Sequence, residues 1–197
     1  MHRLALIMLR LPLLPTIMES TRVMFEIKPL NPQTYRRQTR RSTLIIAVTF
    51  AVLAVVLSSL AVYLFGVPGG DNFSLNLGGV LVALLLMIAL VRSIFWPQPW
   101  MAAAVYGWQL KRNLMRITNV MHHLKPAVAA NDPVAMKLLR FYHLALAQMH
   151  ELDGNTGAHS ELLRDSEQHK ERMTALSISP EQTRLDPAWI EAVKAQH

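Results

Sequence analysis

The sequence contains no cysteine in its 197 residues, which excludes a disulfide, a thiolate metal site and a cysteine nucleophile. Charged residues are also scarce, because they make up 17% of the chain where soluble domains have roughly 25%. Hydrophobic residues, in contrast, make up 52%. A charge deficit of this kind indicates that part of the chain lies in lipid.

The positive charge of the chain, formally +7, is unevenly distributed. Residues 1–41 contain eight Lys or Arg and two Asp or Glu, whereas residues 97–197 contain eleven and ten. A domain that binds nucleic acid would have a basic patch on its folded surface. Because the C-terminal half is almost neutral, we expect no nucleic acid among the partners.

Two long stretches are almost free of charge. Residues 44–65 contain no charged side chain, and residues 75–96 contain only Arg92, close to the end. A helix of about 22 residues is roughly 33 Å long, enough to cross a hydrocarbon core of about 30 Å. The Gly, Pro, Asp and Asn residues in the segment 66–74 predict a turn. We therefore predict a transmembrane hairpin over residues 44–96, with an outside loop at 66–74.

Basic residues flank the predicted hairpin on one side only. The loop contains Asp71 but no Lys or Arg. Both outer flanks are basic, and together they form a predicted basic collar of Arg36, Arg37, Arg40, Arg41, Arg92, Lys111 and Arg112. The positive-inside rule then puts both termini in the cytoplasm, with the collar against the anionic inner leaflet of the lipid bilayer.

Small residues recur on one face of each predicted span. They are Ala47, Ala51, Ala54 and Ser58 in the first span and Gly79 and Ala83 in the second. Small side chains let helices approach closely in lipid. Two uses of this face remain open, namely packing of the spans within one hairpin and a seam between copies in a homo-oligomer.

Residues 1–23 resemble a signal sequence, but Arg10 and Pro12 interrupt the apolar run and no Ala-x-Ala cleavage site follows. The segment is also too short and too broken to span a bilayer. We interpret it as a mis-called start or a disordered leader, with Met24 as the expected first residue. Residues 24–43 are then a basic cytoplasmic flank.

Residues 97–176 show the period of amphipathic helices and no strand pattern. Three helices are predicted, over residues 103–124, 133–152 and 159–176, with Pro126 ending the first. The predicted fold is therefore all-α, with the transmembrane hairpin followed by a cytoplasmic helical bundle.

Residues 177–197 are predicted to be a tail with a short helix after Asp186. The segment Ser179-Pro-Glu-Gln182 has the pattern of a capping box with proline at the first helical position.

The eight histidines are the only residues that resemble a supply of catalytic or metal-binding groups. His143 and His150 are seven residues apart, and the adjacent His122 and His123 point in different directions on a helix. Zinc sites use closer spacing, such as i and i+4, with a further ligand. We therefore predict no metal, cofactor or catalytic residue, so that a membrane-bound metal-dependent hydrolase is the less favoured alternative.

Four residues form the candidate interaction surface, which is aromatic and contains methionine: Trp108, Phe141, Tyr142 and Met149. Large aromatic side chains buried in a partner carry much of the energy of an interface. The same residues would alternatively fill the core of the domain itself. The predicted function is a non-enzymatic, membrane-anchored interaction or scaffold module, and the alternative is an accessory subunit of a transporter or envelope complex.

Three segments carry a resemblance to a known family: Asn72-Phe-Ser-Leu-Asn-Leu-Gly-Gly-Val80, Val105-Tyr-Gly-Trp-Gln-Leu-Lys111, and the segment from Phe141 to Thr156. Over roughly residues 24–186 the chain resembles a family of small two-span inner-membrane proteins of Gammaproteobacteria, catalogued as a domain of unknown function. The resemblance implies a bacterial inner membrane and a helical cytoplasmic portion. It implies no activity and no site residue.

Overall fold

The computed structural model describes residues 24–155, 157 and 159–195. Within them the chain is predominantly helical, as predicted. The helices are α1 (Pro32–Phe65), α2 (Phe73–Leu90), α3 (Ala102–Asn119), α4 (Met121–Ala129), α5 (Pro133–Asp153), α6 (His159–Ala175) and α7 (Pro187–Ala195). A π turn at Val91–Phe95 extends α2, a 3-10 turn at Pro99–Met101 precedes α3, and two short strands, β1 (Phe25–Glu26) and β2 (Arg184–Leu185), pair with each other. The predicted leader, residues 1–23, lies outside the described residues.

Helix α1 begins well before the apolar residues. The Asn31 side chain caps its N-terminus by accepting a hydrogen bond from the Thr34 N–H at 3.0 Å, and Pro32 occupies the first turn. The helix then continues without a break through the basic residues to Phe65. At about 1.5 Å per residue, its 34 residues form a rod roughly 50 Å long. Most of the predicted basic flank is thus helical.

The second half of α1 packs antiparallel against α2, which the π turn extends, and we call residues 44–95 the apolar hairpin. Asn72 closes the intervening turn, because its Oδ1 accepts from the Val67 N–H and its Nδ2 donates to the carbonyls of Val67 and Gly70. Both helices are long and apolar enough to cross a membrane. The helix ends agree with the loop predicted at 66–74.

The two helices of the apolar hairpin approach each other closely at Gly79. A Cβ atom added to Gly79 would lie 2.5 Å from the Cα and 2.6 Å from the backbone N of Ser58. Beside this contact, Ser58 Oγ and Asn76 Oδ1 lie 2.6 Å apart in a hydrogen bond. Ala83 and Met87 continue the buried face of α2, so the small residues of α2 pack within the hairpin of the same chain.

We expect Gly79→Ala to separate the two helices, because the new methyl group meets backbone atoms that cannot rotate away. Cysteines introduced at Ala54 and Ala83, which the antiparallel pairing puts level, should form a disulfide in membranes under mild oxidation. Gly79→Ala should lower the yield of this disulfide about fivefold, which corresponds to about 1 kcal/mol of lost helix-packing free energy. Gly78→Ala is the control, since nothing lies within 4 Å of its added Cβ. Equal yields in both variants would contradict this packing.

The rest of the described residues fold around one apolar core. Its largest fully buried side chains include Leu110, Ile117, Leu124, Met136, Leu138, Phe141, Leu152, Leu185 and Val193. These residues come from α3, α4, α5, β2 and α7. The C-terminal segment predicted as a tail therefore belongs to the core of the domain.

Three local features differ from the sequence prediction. The strand pair was not predicted, since two residues are too few to show alternation; in it, Phe25 lies opposite Leu185. Pro126 does not end a helix but lies in the second turn of α4, and the predicted helix breaks instead at Val120, with φ −106° and ψ 9°. No helix begins at 179–182, where Gln182 Nε2 donates to the Ser179 carbonyl and the helix starts only at α7.

Candidate functional site at the junction of the hairpin and the domain

Helix α1 is part of the domain core before it enters the apolar hairpin. Tyr35 and Ser42 are buried on this part of the helix. Ser42 Oγ donates to the Trp100 carbonyl at 2.7 Å. The Tyr35 ring packs directly on Gly107 of α3, where there is no room for a Cβ atom. The hairpin and the domain are therefore joined by one continuous helix that packs on the domain, and not by a flexible linker.

Two members of the basic collar bind the C-terminal end of α5. Arg36 Nη1 donates to the carbonyls of Glu151 and Leu152 at 3.3 and 3.4 Å. Lys111 Nζ lies 2.9 Å from the carboxylate of Asp153. Positive charge is favourable at a helix C-terminus, where the carbonyl dipoles point outward. Arg36 and Lys111 thus have partners within the domain, which the flank pattern alone did not indicate.

The other five members of the collar are exposed: Arg37, Arg40, Arg41, Arg92 and Arg112. None of them forms an ion pair within the part of the chain that the structure describes. Their guanidinium groups are therefore available to anions outside the described chain.

The antiparallel pairing fixes the level of Arg92 along the hairpin. Gly79 of α2 packs on Ser58 of α1. Counted from this contact, Arg92 and Ile45 are the same number of residues away in the direction of the domain, so they lie opposite each other. Because both helices rise equally per residue, Arg92 is level with the first apolar residues of α1. Arg41 is one turn earlier in α1, so the collar surrounds the same end of the apolar hairpin.

A groove of about 750 Å³ lies where α2 meets α3, and we call it the junction groove. Half of its lining consists of apolar side chains from the hairpin, which are Ile46, Met87, Ile88 and Val91. The other half consists of two arginines and two tryptophans, which are Arg92, Trp96, Trp108 and Arg112. The groove thus combines an apolar wall with a positively charged and aromatic one.

The π turn places one of these tryptophans. The Trp96 N–H donates to the Val91 carbonyl at 2.8 Å, five residues back. One extra residue in a turn rotates everything after it by about 100° relative to a regular α-helix. Trp96 then meets Trp108 edge-on, with ring centroids 5.0 Å apart. The Arg112 guanidinium lies over the Trp108 ring, 4.8 Å from its centroid, in a cation–π contact.

The four residues of the predicted interaction surface do not form one surface. Phe141 is fully buried in the core, so a partner cannot reach it, and Tyr142 and Met149 are half-buried against that core. Trp108 remains 46% exposed. Met115, which is 66% exposed on the same face of α3, was missed, although its spacing of seven from Trp108 was a usable signal.

A buried polar cluster lies between α5 and α6 and consists of Arg140, His143, Ser166 and His169. Arg140 donates to Ser166 Oγ at 2.8 Å, to the Ser166 carbonyl at 2.9 Å and to the Pro180 carbonyl at 3.0 Å. His169 Nε2 donates to the Met136 carbonyl at 2.9 Å. Ser166 is bound by arginine and not by histidine, so the cluster contains no nucleophile–base pair.

His143 is the least satisfied member of this cluster, because its buried Nδ1 has no hydrogen-bond partner. Burial, followed by the nearby His169 and Arg140, lowers the pKa of His143 to about 4. Burial also lowers the pKa of His169. Both rings are therefore neutral at neutral pH. Among the described residues, no three His, Asp or Glu side chains are grouped to hold a metal ion.

Comparison with known proteins gives one finding on the family. A family model described as Protein of unknown function (DUF3087) matches residues 25–190. The match extends from β1 into α7 and so includes the apolar hairpin, the junction groove and the domain core. No curated protein and no solved structure matches the chain. Since the model covers most of the sequence, the chain belongs to the DUF3087 family of proteins of unknown function.

Proposed function

We propose that the protein is a non-enzymatic interaction module, anchored in a bacterial inner membrane by the apolar hairpin with both termini in the cytoplasm. The observation that carries the proposal is the continuity of α1, which belongs both to the hairpin and to the domain core. The hairpin exposes large apolar side chains such as Val55 and Leu85, at 66% and 67%. A surface of this kind is stable in lipid but promotes aggregation in water.

The continuity of α1 would hold the domain at a fixed position against the inner leaflet. The exposed arginines Arg37, Arg40 and Arg41 lie just before the apolar half of α1, on the stretch that begins at the buried Tyr35 and ends at the buried Ser42. Anionic headgroups attract basic residues at this position by about 1 kcal/mol each. The loop at the other end of the hairpin has no basic residue, which supports the proposed orientation.

The exposed face of α3 is the best candidate for contact with a protein partner. Trp108, Arg112 and Met115 follow each other at the i, i+4, i+7 spacing and are all exposed. Tryptophan, arginine and methionine are enriched at protein interfaces. Because Trp108 contacts Trp96, which directly follows the π turn, this face starts beside the hairpin, and we propose a partner that is itself at the membrane.

Photo-crosslinking in native membranes tests this proposal. A photoreactive residue at Met115 should give a discrete adduct with one protein, whereas the same residue at Gln168, exposed on α6, should give none. Trp108→Ala should weaken the interaction about tenfold, the loss typical of an interface anchor. Absence of any protein adduct at Met115 would contradict the proposed face.

Exchange of the hairpin separates the main proposal from the alternative. Residues 44–95 are replaced by an unrelated two-span hairpin in the same helical register. If the Met115 adduct persists, the hairpin is only an anchor, as we propose. If it disappears while the chain stays in the membrane, the hairpin is the contact surface and the protein is an accessory subunit of a transporter or envelope complex. An adduct twice the mass of the chain indicates a homo-oligomer.

A further inference from the structure

We propose that the junction groove binds an anionic phospholipid of the inner leaflet, with its phosphate on Arg92 and Arg112 and its acyl chains along the hairpin. This inference rests on the proposed membrane anchoring and goes beyond it. Anchoring requires only an apolar surface, whereas the groove would select one class of lipid by charge.

The charge of the groove favours an anion. Arg92 and Arg112 line it, no Asp or Glu lines it, and neither arginine forms an ion pair within the described residues. A guanidinium group binds phosphate oxygens through two parallel hydrogen bonds. Basic pockets at the cytoplasmic side of transmembrane helices are a recurrent type of binding site for anionic headgroups.

The apolar half of the groove distinguishes a phospholipid from free phosphate. Met87, Ile88 and Val91 belong to the hairpin, so the apolar wall is continuous with the surface that would face lipid tails. A free phosphate ion would gain nothing from this wall. In a phospholipid, one glycerol joins the phosphate to the acyl chains, so the charge and the first methylene groups lie close together. The groove, at about 750 Å³, is large enough for both.

The position of the groove along the hairpin, relative to the bilayer, also suits a phospholipid. Arg92 is level with the first apolar residues of α1, which is where headgroup phosphates would lie if the hairpin spans the bilayer. Tryptophan side chains favour this zone, because their rings are partly apolar and their N–H groups need a polar partner.

Contacts within the protein hold the charged wall in place before any lipid binds. The π turn positions Trp96 against Trp108, and the Arg112 guanidinium stacks on the Trp108 ring in a cation–π contact. A side chain that is already held in place loses less conformational entropy on binding. The geometry therefore favours a specific site over a diffuse basic surface.

Lipid retention by the full-length protein in nanodiscs tests the proposal. The nanodiscs contain phosphatidylethanolamine and phosphatidylglycerol in equal amounts, and native mass spectrometry measures the lipid retained after release into detergent. We expect the wild type to retain phosphatidylglycerol preferentially. The double variant Arg92→Gln/Arg112→Gln should retain about thirtyfold less, because two charge contacts are lost. The control Arg37→Gln/Arg40→Gln removes the same charge from the collar outside the groove and should behave as the wild type.

Two results would overturn the inference. The first is equal retention of the two lipids by the wild type. The second is an equal loss in the groove variant and the control, which would mean that only the overall charge of the collar matters. Helical content by circular dichroism verifies that both variants are folded. Extraction of native membranes with alkaline carbonate is measured in parallel, because release of the wild type there would refute the anchoring itself and not only the lipid site.

Discussion

The free energy of unfolding is expected to fall by about 3 kcal/mol as the pH is lowered from 6.5 to 4, because of the buried His143. Its pKa is about 4 in the folded protein and 6.5 as an ordinary histidine. Between these values the unfolded chain binds a proton and the folded chain does not. The stabilisation is thus complete above pH 6.5 and is lost as the pH falls to 4.

The surroundings of His143 explain why the charged form is disfavoured. The ring is buried, its Nδ1 has no partner, and both Arg140 and His169 lie near it. Asp165 acts in the opposite direction but is an exposed residue and the smallest of the causes. Protonation would therefore place a second positive charge beside Arg140 in a poorly solvated site.

Urea denaturation of the purified protein in detergent at several pH values measures this effect. His143→Leu keeps a similar volume, removes the unsatisfied Nδ1 and should make the pH dependence of the free energy of unfolding clearly weaker, with the remainder due in part to His169, whose pKa burial also lowers. The control is His122→Leu, at an exposed histidine, which should leave the dependence unchanged. A slope as steep in His143→Leu as in the wild type would show that other groups cause the loss of stability in acid.

Gly107→Ala is expected to destabilise the protein by about 2 kcal/mol, although alanine is the better helix former. The packing cost of an extra methyl group here is about 3 kcal/mol, while the helical preference of alanine returns about 1 kcal/mol. The packing cost is near the upper end of the usual range because the new Cβ would overlap the Tyr35 hydroxyl and touch the ring. The ring is stiff and buried, so it moves only if α1 moves away from α3.

A second substitution makes this prediction specific. Tyr35→Phe removes the hydroxyl that the new methyl group would overlap, so the double variant Gly107→Ala/Tyr35→Phe should recover at least half of the lost free energy of unfolding. Thermal and urea unfolding of the four proteins form a double-mutant cycle. Additive effects of the two substitutions would show that α1 and α3 do not meet at this point.

The apolar hairpin was predictable from the sequence because its signal is local and large. Two runs of apolar residues separated by a turn need no knowledge of distant contacts, and the helices end close to the predicted loop. The helices over 133–152 and 159–176 were predictable for the same reason, since α5 and α6 occupy these positions. The start of α1 is also encoded locally by Asn31 and Pro32. The prediction treated residues 24–43 as a basic flank because of their arginines, and so did not include this helix start.

The candidate site was not predictable in the same way, because it joins residues that are far apart in the chain. Arg112 packs on Trp108, and Trp108 packs on Trp96 beside the hairpin. The π turn that aligns Trp96 leaves no clear pattern in the sequence. Periodicity placed Phe141 on an apolar face but could not distinguish a core from an interface. The strand pair likewise depends on contact between the two ends of the family segment.

Cysteine accessibility in intact cells tests the proposed membrane orientation. The chain has no cysteine, so a single introduced cysteine is the only reactive thiol. If both termini lie in the cytoplasm, Val67→Cys in the hairpin loop reacts with a membrane-impermeant maleimide in intact cells, while Gln168→Cys in the domain reacts only after the membrane is permeabilised. Labelling of Gln168→Cys in intact cells, or protection of Val67→Cys from the reagent, would contradict this orientation.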